Sequence, residues 1–182
     1  MTKEYVKSQF RKNCLQRLKK ISEKKAYIRD KYILDALYRL IHKDRAENIM
    51  LYLPLKIEVN IYPLIKQLRK EKKILYVPFM EGSSFRLVKY RLPLYKKQFG
   101  IKEPKYSKQN KTKQIDIAIV PIVGVDKTQR RIGFGKGMYD RFFEKNNKNI
   151  KKVVFVAREL CYSKEIVTNH YDVKADIIVT HK

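Results

Sequence analysis

Residues 130–143, RRIGFGKGMYDRFF, place Gly133, Gly135 and Gly137 at alternate positions among Arg130, Arg131 and Lys136, with Asp140 directly behind them. The chain has six glycines, so half of them serve one basic stretch. Glycines at this spacing let backbone N–H groups converge on an anion, and a helix starting behind them adds the partial positive charge of its N-terminus. With three full cations the combination suits a polyphosphate. It is not the G-x-x-x-x-G-K-[ST] loop, because Gly137 follows Lys136, nor the G-x-G-x-x-G dinucleotide fingerprint. A plain turn is the alternative, but turns seldom need three alternating glycines among cations. Asp140 falls in the first helical turn behind the loop. A carboxylate there is a natural magnesium ligand beside phosphate, and it equally fits an acid that complements the helix dipole.

Elements of an α/β fold surround the loop. Val6, Phe10, Cys14, Leu18 and Ile21 recur at spacings of four or three, which predicts an amphipathic helix over 4–21. Ser22 is placed to cap a second helix over 23–42, with Ala26, Ile33, Leu37 and Leu40 on its apolar stripe. A further helix is expected over 60–71, with Asn60 as cap and Pro63 in its first turn. Another is expected over about 137–147, behind the glycine loop. Apolar runs at 48–54, 73–79, 115–123, 153–157 and 176–180 read as buried strands, and 85–90 alternates like a half-exposed one. Residues 92–113 read as a polar loop. Strands alternating with helices predict one three-layer Rossmann-like α/β domain spanning 1–182, with a mainly parallel central sheet. The glycine loop then lies beyond the carboxyl ends of the strands, where ligands bind in open α/β sheets.

The 43 Lys and Arg against 18 Asp and Glu give a formal net charge of +25. That field attracts anions, although the lysines are scattered from Lys3 to Lys182 rather than massed in one arm. Cys14 and Cys161 lie far apart, and with three histidines they show no metal-ligand spacing, so neither a zinc site nor a disulfide framework is expected. No signal core and no run of about 18 apolar residues is present. The expectation is a cytoplasmic monomer that does not contact membranes.

With these motifs in place, RIGFGKGMYDRFF resembles the R-x-G-x-G-x-G-x-Y-D signature of the 5-formyltetrahydrofolate cyclo-ligase family, also called 5,10-methenyltetrahydrofolate synthetases. KSQFRKNCLQRL, NIMLYLPLKIEVN, IAIVPIVGVDKTQRRIGFGKGMYD and YDVKADIIVT resemble other family segments in the family's order. The resemblance implies ATP-dependent cyclisation of 5-formyltetrahydrofolate to 5,10-methenyltetrahydrofolate, with release of ADP and phosphate. By resemblance, ATP contacts come from Lys7, Ser8, Gln9, Phe10 and Arg11 on the first helix. More come from Arg131, Ile132, Gly133, Phe134, Gly135, Lys136, Gly137, Met138 and Tyr139. Arg131 and Lys136 would be catalytic, offsetting charge on the transferred phosphoryl group. The folate would be held by Leu53 and Glu58 together with Phe134, Gly135, Lys136, Gly137 and Met138, and Mg²⁺ by Asp140 and Asp172. The basic surface would steer ATP and a folate with or without a polyglutamate tail. Without the resemblance, Lys7 and Arg11 read as a solvated helix face, Glu58 as a helix-start acid and Asp172 as a turn residue.

The chain also departs from the family pattern. Arg158 and Cys161 stand where an aromatic and a glutamine are common, Val167 where proline is usual, Tyr171 where histidine often precedes the aspartate, and Val125 where an aromatic is usual. These changes put the folate contacts in question and leave an altered-substrate or non-catalytic nucleotide-binding paralogue open. A basic, tyrosine-rich nucleic-acid-binding protein is the alternative from another class. It lacks a recognisable motif, and tyrosines such as Tyr52 and Tyr76 fall in apolar patterns.

Overall fold

The computed structural model describes residues 2–23, 26–97, 100–105 and 114–181. The chain begins with α1 (Lys3–Glu23) and α2 (Ala26–Lys43), then β1 (Asn48–Met50), α3 (Tyr62–Lys70), β2 (Ile74–Glu81) and β3 (Ser84–Lys89). It continues through β4 (Leu94–Lys96), β5 (Lys102–Pro104), β6 (Ile117–Pro121), β7 (Gly124–Asp126) and β8 (Arg131–Ile132). The last elements are α4 (Met138–Asn146), β9 (Val153–Ala157), β10 (Tyr162–Ser163) and β11 (Ile177–Thr180).

Six strands form the central sheet in the order β11-β9-β6-β1-β2-β3. All neighbours are parallel except the β2–β3 hairpin. Each central strand reads as an unbroken apolar run because both faces of the sheet are covered. Ile117 and Ile119 pack with Ile33, Leu37, Leu64 and Leu68 on the α2–α3 face, while Ala118 and Val120 pack with Phe142 and Phe143 of α4 on the other. The expected mainly parallel α/β architecture is thus observed.

From β1 the chain moves through α3 to β2 on one side, and β6 continues to β9 on the other. The carboxyl ends of β1 and β6 therefore diverge, which opens a crevice between them. α1 lies over this end, where Phe10, Cys14, Leu15 and Leu18 pack with Val123, Phe134 and Cys161.

Several local expectations are corrected. Ser22 ends α1 rather than capping α2: its hydroxyl donates to Leu18 O at 2.7 Å. Asn60 does not cap α3 in the standard way; its Oδ1 accepts the Tyr62 N–H at 3.2 Å, just ahead of a helix that starts at Tyr62. The region read as a polar loop contains the β4–β5 hairpin, and residues 98, 99 and 106–113 lie outside the described residues. The run 115–123 does not lead straight into the glycine loop, because β7 and β8 intervene in a small sheet with β10. Cys14 and Cys161 are joined in a disulfide across 147 residues, against the expectation from their spacing.

Candidate active site

The glycine loop is shaped by three arginines as much as by its glycines. Arg131 leaves β8 buried, donating from Nε and Nη2 to the Pro121 carbonyl at 3.2 and 3.0 Å. Its guanidinium passes so close to Gly133 that a Cβ there would lie 2.2 Å from Nη1, so a larger residue would force the guanidinium to move. Arg11, one turn beyond Lys7 on α1, donates from Nε to Gly133 O at 2.8 Å and ties that helix to the loop. Gly137, with φ of +62°, turns the chain into α4. Behind it Arg141 donates from Nε to Ser83 O at 2.7 Å and from Nη2 to Lys136 O.

Two cavities meet at this loop, and Arg131, Lys136 and Gly137 line both. The larger, of about 510 Å³, is walled by Lys7, Arg11, Asp140, Arg141 and Asp172. The Asp140 carboxylate accepts the N–H of Val173, the residue after Asp172, at 3.4 Å. It also stands 4.0 Å from Arg131 Nη1. Asp172 is buried; its Oδ2 lies 2.5 Å from Lys7 Nζ and accepts the Asn169 N–H at 2.8 Å. The segment carrying Asp172 is fixed from two sides. Arg130 donates to the carbonyls of His170 and Asp172 at 3.0 and 2.7 Å. Asp126, fully buried, accepts N–H and hydroxyl donors from Thr128 and Thr168 and the N–H of Val167. Burial alone would raise the Asp126 pKa, but these donors outweigh it and hold the carboxyl at about 2.

The smaller cavity, of about 270 Å³, opens between the ends of β1 and β6 and is mostly apolar. Leu53, Phe134 and Met138 line it, with Tyr52, Glu58 and Tyr139 among its polar groups alongside the shared cations. Ile101 and Lys102 of the β4–β5 hairpin close its rim. Glu58 takes one direct backbone donor, the Leu55 N–H, at 2.7 Å. Burial pushes its pKa up to about 7, opposed only in part by that hydrogen bond and by the charges of Arg131 and Arg158. Burial also pushes the Tyr139 hydroxyl up, helped by Glu58, and the Arg131 guanidinium lies 4.6 Å from its ring.

Lys7, Arg11, Arg131, the glycines, Lys136, Asp140 and Asp172 are therefore brought together, and Leu53 and Glu58 share a cavity with Phe134 and Met138. Ser8 and Gln9 lie on the exposed face of α1 and are not among the residues lining either cavity. Phe10 packs beneath α1, and the Ile132 side chain is buried in β8. Arg130, grouped with the loop cations from its position, instead braces the 170–172 segment. Arg141, inside the glycine stretch, was not singled out, and nothing in their local sequence marks Ser83 or Lys102; only the fold carries the β2–β3 turn and the β4–β5 hairpin to the loop.

The sequence profile of the 5-formyltetrahydrofolate cyclo-ligase family matches residues 3–181. The chain belongs to that family. Among cyclo-ligase relatives, the 5-formyltetrahydrofolate cyclo-ligase of Haemophilus influenzae is 32% identical over 152 residues, covering 77% of this chain and 79% of the relative. That of Mycoplasma genitalium is 29% identical, covering 77% and 76%. The solved structure of Aquifex aeolicus 5,10-methenyltetrahydrofolate synthetase superposes with a TM-score of 0.79 at 31% identity, covering 96% of this chain and 89% of that one. A Mycoplasma pneumoniae 5,10-methenyltetrahydrofolate synthetase shares the cyclo-ligase fold, with a TM-score of 0.71 at 23% identity over 95% and 97% of the two chains.

Proposed function

We propose that the chain catalyses the ATP- and Mg²⁺-dependent cyclisation of 5-formyltetrahydrofolate to 5,10-methenyltetrahydrofolate, releasing ADP and phosphate. The observation that carries this reading is the pair of cavities, one cationic and one apolar, that meet at Arg131, Lys136 and Gly137. A phosphate chain in the first and a pterin in the second bring a γ-phosphoryl group and a formyl oxygen to the same loop. The formyl oxygen bonds to the γ-phosphorus as the bond to the ADP oxygen breaks. N-10 then closes on the formyl carbon and loses its proton, and phosphate leaves with the former formyl oxygen. Such phosphoryl transfer needs positioning and charge stabilisation more than covalent help from the protein.

Each group of residues has a part. Lys7, Arg11, Lys136 and the loop N–H groups hold ATP phosphates; Arg131 and Lys136 stabilise the charge in transfer. Leu53, Phe134 and Met138 exclude water from the ring. The Glu58 carboxylate, which among the described residues accepts the Leu55 N–H, suits the paired N–H groups of an aminopyrimidinone edge. Asp140 and Asp172 would hold Mg²⁺. Among the described residues no group of three or more His, Cys, Asp or Glu could hold a metal. Two carboxylates at one cavity suit an ion that keeps several waters and takes substrate oxygens as further ligands. Bound there, Mg²⁺ supplies charge neutralisation at phosphate oxygens. The direct test is absorbance detection of methenyltetrahydrofolate formed from 5-formyltetrahydrofolate. Product that requires both ATP and magnesium is expected; formation without ATP, or none with it, overturns the reading.

A further inference from the structure

Arg158 stands where an aromatic is common in the family, which raised the question of an altered folate site. It does not line the apolar cavity. It sits behind that cavity, buried, at the end of β9. Its Nε and Nη2 donate to the two carboxylate oxygens of Asp30 on α2, at 2.7 and 2.9 Å. Its Nη1 donates to Ser22 Oγ at the end of α1, at 2.7 Å, and to the carbonyl of Lys56 at 3.2 Å. Asp30 Oδ2 accepts the Asn60 N–H at 3.1 Å. The segment Lys56–Asn60, which carries Glu58, is thus held at both ends by one buried ion pair. Glu58 closes the segment on itself, since its carboxylate accepts the Leu55 N–H and its own N–H donates to Leu55 O at 3.0 Å.

We infer that the Arg158–Asp30 pair is a positioning device for the folate site, fixing the Lys56–Asn60 segment so that the Glu58 carboxylate faces the apolar cavity. The inference rests on the proposed role of Glu58 in holding the pterin. A bidentate guanidinium–carboxylate pair fixes orientation as well as distance. A simple aliphatic filler at 158 would leave the Lys56 carbonyl without this donor. The same charge also acts on Glu58 through space, together with Arg131 from β8. The other titratable groups around Glu58 are Tyr52, beyond β1, and Tyr139 of α4, with Lys102 and Lys136 on the same cavity. No role for Arg158 at the phosphate cavity follows, because it does not line it.

Removing Arg158 alone would leave Asp30 buried and unpaired, so the informative variant is Asp30→Leu/Arg158→Met, which deletes both charges and keeps apolar volume. Arg158→Lys keeps a charge but loses the fork. In steady-state assays of folded protein, checked by circular dichroism, the double variant should raise KM for 5-formyltetrahydrofolate about tenfold and leave KM for ATP within about twofold. The midpoint of the pH dependence of the folate KM should move upward, because the through-space charge of Arg158, which lowers the Glu58 pKa, is gone. Arg158→Lys should retain that midpoint near the wild-type value while showing part of the KM increase. A folded double variant with unchanged folate KM and pH midpoint overturns the inference, as does an equal rise in both KM values. Glu58→Gln separates the two readings. If it leaves the folate KM unchanged, the proposed role of Glu58 fails and the inference falls with it. If it raises the folate KM while the double variant does not, only the positioning role fails.

Discussion

Glu58 and Asp172 are both carboxylates at the edge of the glycine loop, yet the two cavities surround them with different partners. In the apolar cavity Glu58 accepts the Leu55 N–H and loses water, so its proton affinity rises. In the cationic cavity Asp172 faces Lys7 directly and takes the Asn169 N–H. At Glu58 desolvation dominates because few dipoles compensate it, whereas Asp172 has a cation and a backbone N–H as direct partners. One loop can therefore present a flat, water-poor face to a ring and a charged, backbone-rich face to phosphates. The contrast can be broken from either side.

The largest effect is expected at the phosphate side. Asp140→Asn removes one of the two carboxylates proposed for Mg²⁺ while keeping the shape of the side chain. We expect kcat to fall about a hundredfold or more at ordinary magnesium, since the ion is worth several kcal/mol in stabilising the transferred charge. Higher magnesium should restore part of the loss, and the thermal midpoint should stay close to wild type. Full activity in this variant removes Asp140 from the metal site and weakens the contrast.

The tether of α1 offers the next break. Few residues of α1 are buried, Cys14 and Leu18 among them, while Lys7 and Arg11 reach from it into the cationic cavity. The disulfide to Cys161 thus holds the helix that supplies two of that cavity's cations. Cys14→Ser should lower stability by about 2–4 kcal/mol, read as a shift of the urea midpoint. It should raise KM for ATP more than KM for the folate. A thiol reductant should act on the wild type in the same direction and leave Cys14→Ser unaffected; equal sensitivity of both proteins would dissociate the tether from ATP binding.

Lys136→Ala tests the residue that both cavities share. Loss of one charged hydrogen bond to phosphate is worth about 1.5–3 kcal/mol, or a drop of roughly tenfold to 150-fold in kcat/KM for ATP. The Arg141 contact that holds the loop should survive, because it is made to the Lys136 carbonyl. Unchanged dependence on ATP would count against the assignment.

What the sequence displays is local. The strands that fill the sheet announce themselves as apolar runs, and the glycine loop by its spacing, because both are written in neighbouring residues. β7 and β8 have three and two residues, too few for a period to show. The hairpin β4–β5 is short and largely polar, so it reads as loop. The contacts that complete the site span the chain: Lys7 to Asp172 across 165 residues, Arg158 to Asp30 across 128, and Cys14 to Cys161 across 147. No periodicity encodes such pairs, since the sheet order decides them. The resemblance to a family supplied Lys7 and Asp172 as members of one site, but Arg158 was visible only as a departure. Its function depends on a segment more than a hundred residues earlier.

The smallest effect expected is a pH dependence of the folate side, and it sharpens the contrast most directly. The Glu58 carboxyl is raised from 4.5 to about 7, so the ligand-free folded chain holds this proton more tightly than the unfolded chain. The stabilisation that follows is complete below pH 4.5 and is lost as pH rises through 7. Relative to Glu58→Gln, wild-type stability should therefore decline from pH 5 to pH 8. With Glu58 in its proposed role, folate binding runs the other way, because the ionised carboxylate is the form that accepts paired N–H donors. With a pKa of about 7, only about one-tenth of Glu58 is ionised at pH 6. KM for 5-formyltetrahydrofolate should accordingly rise up to about tenfold between pH 8 and pH 6, and Glu58→Gln should have a higher but nearly flat KM over that range. KM for ATP serves as the internal control, since Glu58 does not line the cationic cavity. A wild-type folate KM that stays level from pH 8 to pH 6, or the same slope in Glu58→Gln, would show that Glu58 is not the titrating contact and that the two cavities differ less than their linings imply.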